Sequence, residues 1–250
     1  GIFPQFKHGA FLEDLYHKRN TYFGFQKEYI AEFVYGGIDG TITTFAVVAG
    51  AAGAELALPI VLILGFANLI ADGFAMSVGS YFSAKAEHES YEKHKAVEYW
   101  EIENLREKEV EEIREIYQNK GFTGDLLHQV VDVITSDDEV WVDTMMKEEL
   151  ELMKDERPPW KRGLVTFIAF NLIGFIPLMA YVLAGFTKAN ASDLFMVSSI
   201  STGAALALIG ALKGFVTEQS RIKGIVETVL LGGVAATIAF FVGDVLEKIL

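Results

Sequence analysis

The sequence predicts an all-α membrane protein, with five transmembrane helices and a three-helix cytosolic insert between the second and third. Three observations predict it. The chain is 51% hydrophobic with a mean hydropathy of +0.29, yet 22% of it is charged. The charge is segregated: the net −13 comes largely from residues 87–157. Outside that segment the apolar residues gather into five blocks, each near the roughly 20 residues needed to cross a bilayer.

The blocks run over 34–54, 58–84, 162–186, 193–213 and 225–247. They divide the chain into an N-terminal segment (1–33), a first membrane part (34–86), the insert (87–160) and a second membrane part (161–250). Pro177 should kink the third span. Gly50, Gly53, Gly203, Gly210, Gly232 and Gly233 should let the first, fourth and fifth spans approach closely. Glu227 and Asp244 lie near span ends, where a snorkelling or capping charge is tolerated.

Loop charge predicts orientation. Lys7, Lys18, Arg19 and Lys27 precede the first span, and the insert and its edges are rich in Lys and Arg. The loop after the first span has none, and the one near Asn190 has only Lys188. Positive loops lie on the cytosolic side, which puts the N-terminus and the insert in the cytosol. Residues 1–33 show no apolar stretch of the kind a signal peptide carries.

The insert reads as helices. Glu87 to Tyr117 has no Gly or Pro and should continue the second span outward until Asn119-Lys120-Gly121 stops it. A short helix from about Asp125 to Thr135 would bury Leu126, Leu127, Val130, Val131 and Ile134 on one face. Ser136 and Glu139 resemble a capping box opening a third helix, which should run to Arg157-Pro158-Pro159.

Several function classes are excluded. There is no cysteine, hence neither disulfide nor thiolate metal site. The acidic balance argues against nucleic acid and for cations. No P-loop, dinucleotide fingerprint or nucleophile elbow is present. The histidines (His8, His17, His88, His94 and His128) form no strong ligand pair.

Two acidic residues lie inside apolar blocks, Asp39 and Asp72. A charge at the centre of a span costs about 2.5–3.5 kcal/mol on insertion scales, so such residues normally face a cavity, a partner or an ion. Asn68, Asp72 and Met76 follow at four-residue steps and share a helix face. Gly36, Gly37 and Gly40 around Asp39 should leave its backbone accessible. A structural hydrogen bond for either aspartate, and simple packing for Met76, remain the alternatives.

On a continuous helix Glu98, Glu101, Glu109 and Glu112 would fall within roughly an 80° arc. In the third helix Met145 and Glu149 are one turn apart. Carboxylates with a thioether suit a borderline transition metal better than calcium or magnesium. Spacing alone is also met by a solvated acidic helix.

The segments EFVYGGIDGTITTFAVVAGAAGA, GFANLIADGFAMSVGSYFSAKAE and WVDTMMKEELEL resemble the vacuolar iron transporter family, over nearly the whole chain from about Tyr29. The resemblance implies a homodimer in the lipid bilayer, whose first and second spans form a central path, and exchange of ferrous iron for protons. Carried over residue by residue, Asp39 and Met76 belong to the path, with Asn68 and Asp72 on the same face as Met76. Glu98, Glu101, Glu109, Glu112, Met145 and Glu149 form the cytosolic metal site. Plant members carry a glutamate at the place of Asn68. Asparagine cannot titrate, and Asp72, one turn on, is the carboxylate available instead.

The metal would be substrate and ligand rather than a permanent cofactor, with manganese, cobalt and zinc as candidates beside iron. The membrane would be vacuolar in a eukaryote and the cell membrane in a prokaryote. Two rival readings are a carboxylate di-iron oxidase, which lacks the Glu-x-x-His motifs it needs, and a membrane-anchored sensor or buffer.

Overall fold

The computed structural model describes residues 28–184 and 191–249. The basic residues up to Lys27, His8, His17 and Lys188 lie outside the described residues. Every regular element described is a helix: α1 (Ile30–Gly53), α2 (Leu58–Asn104), α3 (Arg106–Asn119), α4 (Gly124–Ile134), α5 (Asp138–Glu148), α6 (Pro159–Gly174), α7 (Ile176–Ala184), α8 (Ala191–Val216) and α9 (Arg221–Ile249). Four of them, α1, α2, α8 and α9, are long and apolar enough to cross a membrane. The α6–α7 pair, bent by 47°, makes a fifth if counted as one span. Pro177 explains the bend. It sits in the first turn of α7, and its ring is incompatible with a helix continued from α6.

The chain forms two compact units. Of the described residues, the first holds those up to 81 and from 159 onward, the second residues 82–158, so α2 contributes to both. In the first unit α1 is the central helix, packed against α6, α7, α8 and α9. Its small residues make this possible. A methyl group added at Gly36 would sit 2.9 Å from the Thr166 carbonyl oxygen, and one at Gly40 would collide with the Phe170 backbone. Further along, Gly50 meets Ala239 of α9 and Gly53 meets Phe240. Gly36, Gly37 and Gly40 therefore do not open the backbone around Asp39, as the sequence led one to expect. They are closed against α6 and against Ile173 and Ile209.

Gly210 and Gly224 bring α8 and α9 into backbone contact, where the Thr228 hydroxyl lies 2.9 Å from both the Leu206 and Gly224 carbonyls. Gly203 and Gly233 meet nothing within 4 Å, and the close-packing expectation fails for them. Glu227 pairs with Lys213 at 2.9 Å and Asp244 with Lys248 at 2.7 Å, as span-end charges do.

The second unit has its own core, built on Ile102, Ile113, Leu127, Val131, Ile134, Trp141, Val142, Met145 and Met146. Four expectations need correction here. The helix predicted from Glu87 to Tyr117 is broken at Leu105, whose φ of −126° and ψ of 30° are not helical. The cap of α5 is Asp137, one residue later than expected; its carboxylate accepts from the Glu139 and Val140 amides at 2.9 and 3.2 Å. Ser136 instead donates to the Val133 carbonyl. Finally, α5 ends at Glu148, well short of the prolines, and Leu126 of α4 is exposed rather than buried.

Candidate metal sites

The bend at Leu105 positions the insert's carboxylates. Glu98 and Glu101 lie on the last turns of α2, Glu109 and Glu112 on the first turns of α3. On a straight helix Glu98 and Glu109 would be separated by about 16 Å along the axis, beyond the reach of a shared ion. With the chain turned at Leu105, one ligand oxygen each from Glu98, Glu101 and Glu109 lies within 4.8 Å of the others. Three residues of the stripe inferred from periodicity thus converge, but through the break at Leu105 and not along one straight helix face.

Burial makes this cluster unusual. Glu98 is 3% and Glu109 1% exposed. Glu98 Oε2 and both Glu109 carboxylate oxygens are buried without a hydrogen-bond partner. Buried carboxylates without donors are strongly disfavoured when ionised. Glu98 is accordingly pushed up to about 7, by burial first and then by Glu149, Glu101, Glu109 and Glu112. Glu109 is also pushed up to about 7, by burial and then by Glu112 and Glu101, against the opposing pull of Lys108. Glu149 shifts upward as well, by desolvation and by Glu112 and Glu101. The electrostatics therefore link Glu112 and Glu149 to the same centre.

Met145 is fully buried in α5, and the Glu149 amide bonds its carbonyl at 3.0 Å, so the one-turn relation survives the end of the helix. Lys108 is a participant that the sequence reading missed. Its ammonium lies 2.7 Å from Glu112 and 3.7 Å from Glu109. The four-residue spacing of Lys108 and Glu112 was the available signal. A divalent cation placed among these carboxylates would compete with that ammonium. The described histidines, His88, His94 and His128, are exposed and stand apart from this cluster.

In the membrane unit the second set is arranged differently. Asp39 is half-buried on α1, and the charge of Asp72 on α2 is close enough to act on it. Asn68 donates to the Thr44 hydroxyl of α1 at 3.3 Å, a partner that nothing in the sequence signalled. Asp72 and Met76, one and two turns further, are exposed. The apolar part of their helix is much less buried than that of α1. Gly65 against Leu178 and Gly73 against Asn171 hold one side of α2, leaving a face that carries a carboxylate and a thioether.

Residues 30–244 fit the sequence profile of the VIT family. This chain belongs to the VIT family. Among its relatives is a vacuolar iron transporter of Toxoplasma gondii, 38% identical over 93% of this chain and 79% of that protein. Another is a vacuolar iron transporter of Plasmodium falciparum, 33% identical over 94% of this chain and 89% of its own length. Vacuolar iron transporter 1 of Arabidopsis thaliana is 33% identical over 88% and 87%. The reading of the sequence as that of a transporter and not an enzyme agrees with the family and with these names.

Proposed function

We propose that this VIT-family protein moves ferrous iron out of the cytosol in exchange for protons. It works as a homodimer with five spans per chain, in a vacuolar membrane or a cell membrane. Manganese, cobalt and zinc are the other candidate cargoes. The observation that carries the proposal is the glutamate cluster. Three carboxylates converge within 4.8 Å, and oxygens of two of them, Glu98 and Glu109, are buried and lack donors. Such an arrangement is unfavourable on its own and is satisfied by a divalent cation, whose charge replaces the missing hydrogen bonds.

In this reading the insert collects the ion through Glu98, Glu101, Glu109, Glu112, Met145 and Glu149. The ion then passes to Asp39 and Met76 on the first two spans. These side chains, with the neighbouring Asp72, replace part of its water shell. The exposed face of α2 is the one a second copy would cover, enclosing a path between the subunits. Protonation of a carboxylate from the acidic side weakens its hold on the metal, because a ligand must be deprotonated to bind. Asn68 cannot take that role, and Asp39 and Asp72 are the carboxylates the two spans offer for it. The family supports iron as the cargo.

The test is ferrous-iron uptake into proteoliposomes under an imposed pH gradient, for the wild type and Asp39→Ala. Gradient-dependent uptake that vanishes in the variant is the expected result. Metal binding without flux in the wild type would replace the transporter with an anchored buffer.

A further inference from the structure

We propose that Arg106 is a positioning residue for the insert's metal site, locking the Leu105 bend and α5 into the arrangement that brings the ligands together. The inference rests on the reading that the glutamate cluster holds a metal. Arg106 is the first residue of α3, directly after the bend. Its side chain does not follow its own helix. One guanidinium nitrogen donates to the Thr135 carbonyl at 3.0 Å, just past the end of α4. Another lies 3.8 Å from the Asp138 carboxylate in the first turn of α5. The guanidinium carbon stands 4.8 Å from the centre of the Trp141 ring. Three contacts thus tie the bend to the α4–α5 connection.

The three contacts are unequal. The ion pair with Asp138 is exposed and contributes little. The carbonyl bond is directional, and the flat guanidinium covers the face of a Trp141 that is 0% exposed. Trp141 lies one turn before Met145, on the same side of α5. Arg106 therefore touches both halves of the ligand set through one intermediate each. Towards α2 and α3 it holds the turn between Glu98–Glu101 and Glu109–Glu112. Towards α5 it holds the ring that precedes Met145 and Glu149. Leu105 has no proline or glycine to enforce the turn, so tertiary contacts hold it, the core packing of Ile102 and Ile113 and the contacts of Arg106 among them.

The experiment is a cobalt(II) titration of the full-length protein in detergent, read from the visible absorption of the bound ion. The Glu98→Gln/Glu109→Gln variant supplies the baseline for other sites. Arg106→Gln and Arg106→Ala should lower cobalt affinity about 10- to 100-fold, the range typical when a supporting residue of a metal site is lost, and should change the band shape. Arg106→Lys, which keeps charge and reach but cannot lie flat on the indole, should recover part of the affinity and not the spectrum. Arg114→Ala removes an ion pair with Glu111 on the same helix and should leave both readouts unchanged.

Wild-type affinity and spectrum in Arg106→Gln or Arg106→Lys, at wild-type helicity, would overturn the assignment. So would a weakened affinity with an unaltered spectrum, since general destabilisation produces that pattern. If Arg106→Ala does not fold, the Gln and Lys variants decide. A wild type that binds no more cobalt than the baseline variant would instead reject the metal site itself.

Discussion

The insert and the membrane unit both gather acidic residues, but they do so by opposite means. In the insert Glu98 and Glu109 are buried inside one chain, with ligand oxygens already converged. In the membrane unit Asp72 and Met76 stand on an exposed face of a loosely packed helix. In the proposed reading the first is a site that one chain completes, and the second a half-site that the proposed homodimer would close. Metal capture and metal passage should therefore be separable by mutation.

The sharpest separation is Asp39→Ala. It should abolish flux while cobalt titration still finds the insert site at wild-type affinity; a joint loss would collapse the distinction. Next comes Gly40→Val, whose side chain has no room against the Phe170 backbone. It should prevent α1 and α6 from closing and abolish recovery of folded protein. Gly203→Ala and Gly233→Ala, with nothing within 4 Å, should be recovered like the wild type. Recovery can be scored by size-exclusion profile.

A smaller effect is expected from pH on the metal-free insert. Glu98 and Glu109 rise from an ordinary value of 4.5 to about 7 in the folded state. The native state thus holds protons that the unfolded state has released. Stability is full below the ordinary value and is lost as pH rises through about 7. Thermal unfolding followed by tryptophan fluorescence should show a lower midpoint at pH 8 than at pH 5. Saturating cobalt should reverse the order, because the ligands bind deprotonated. The smallest change is expected from Lys108→Met. At pH 8 it removes a competing ammonium and should tighten cobalt binding modestly; weaker binding would make Lys108 a support rather than a competitor.

Much of the architecture was legible because bilayers impose simple rules. Long apolar blocks gave the membrane helices, and Pro177 gave the bend of α6 into α7. The helix stop at Gly121 was equally plain, and the structure gives that residue a φ of 97°, which glycine adopts readily. The break at Leu105 was not legible. Local preference around it is wholly helical, and tertiary packing of Ile113 and its neighbours onto α4 and α5 overrides that preference. The Asp137 cap was missed by one residue because Ser136 and Asp137 are both good caps and only the backbone chooses. The glycines near Asp39 were misread because a missing side chain invites solvent and a neighbouring helix equally. Burial alone decides between them.

The glycine contacts of α1 have a mechanical consequence. Backbone lies against backbone at Gly36 and Gly40 on one side and at Gly50 and Gly53 on another. With no side chains between them to rearrange, these surfaces cannot slide or rotate without opening voids. Helix α1, with α6 and α9, then behaves as a stator. In the proposed transport cycle, a change that exposes Asp39 first to one side of the membrane and then to the other would fall to another part of the chain.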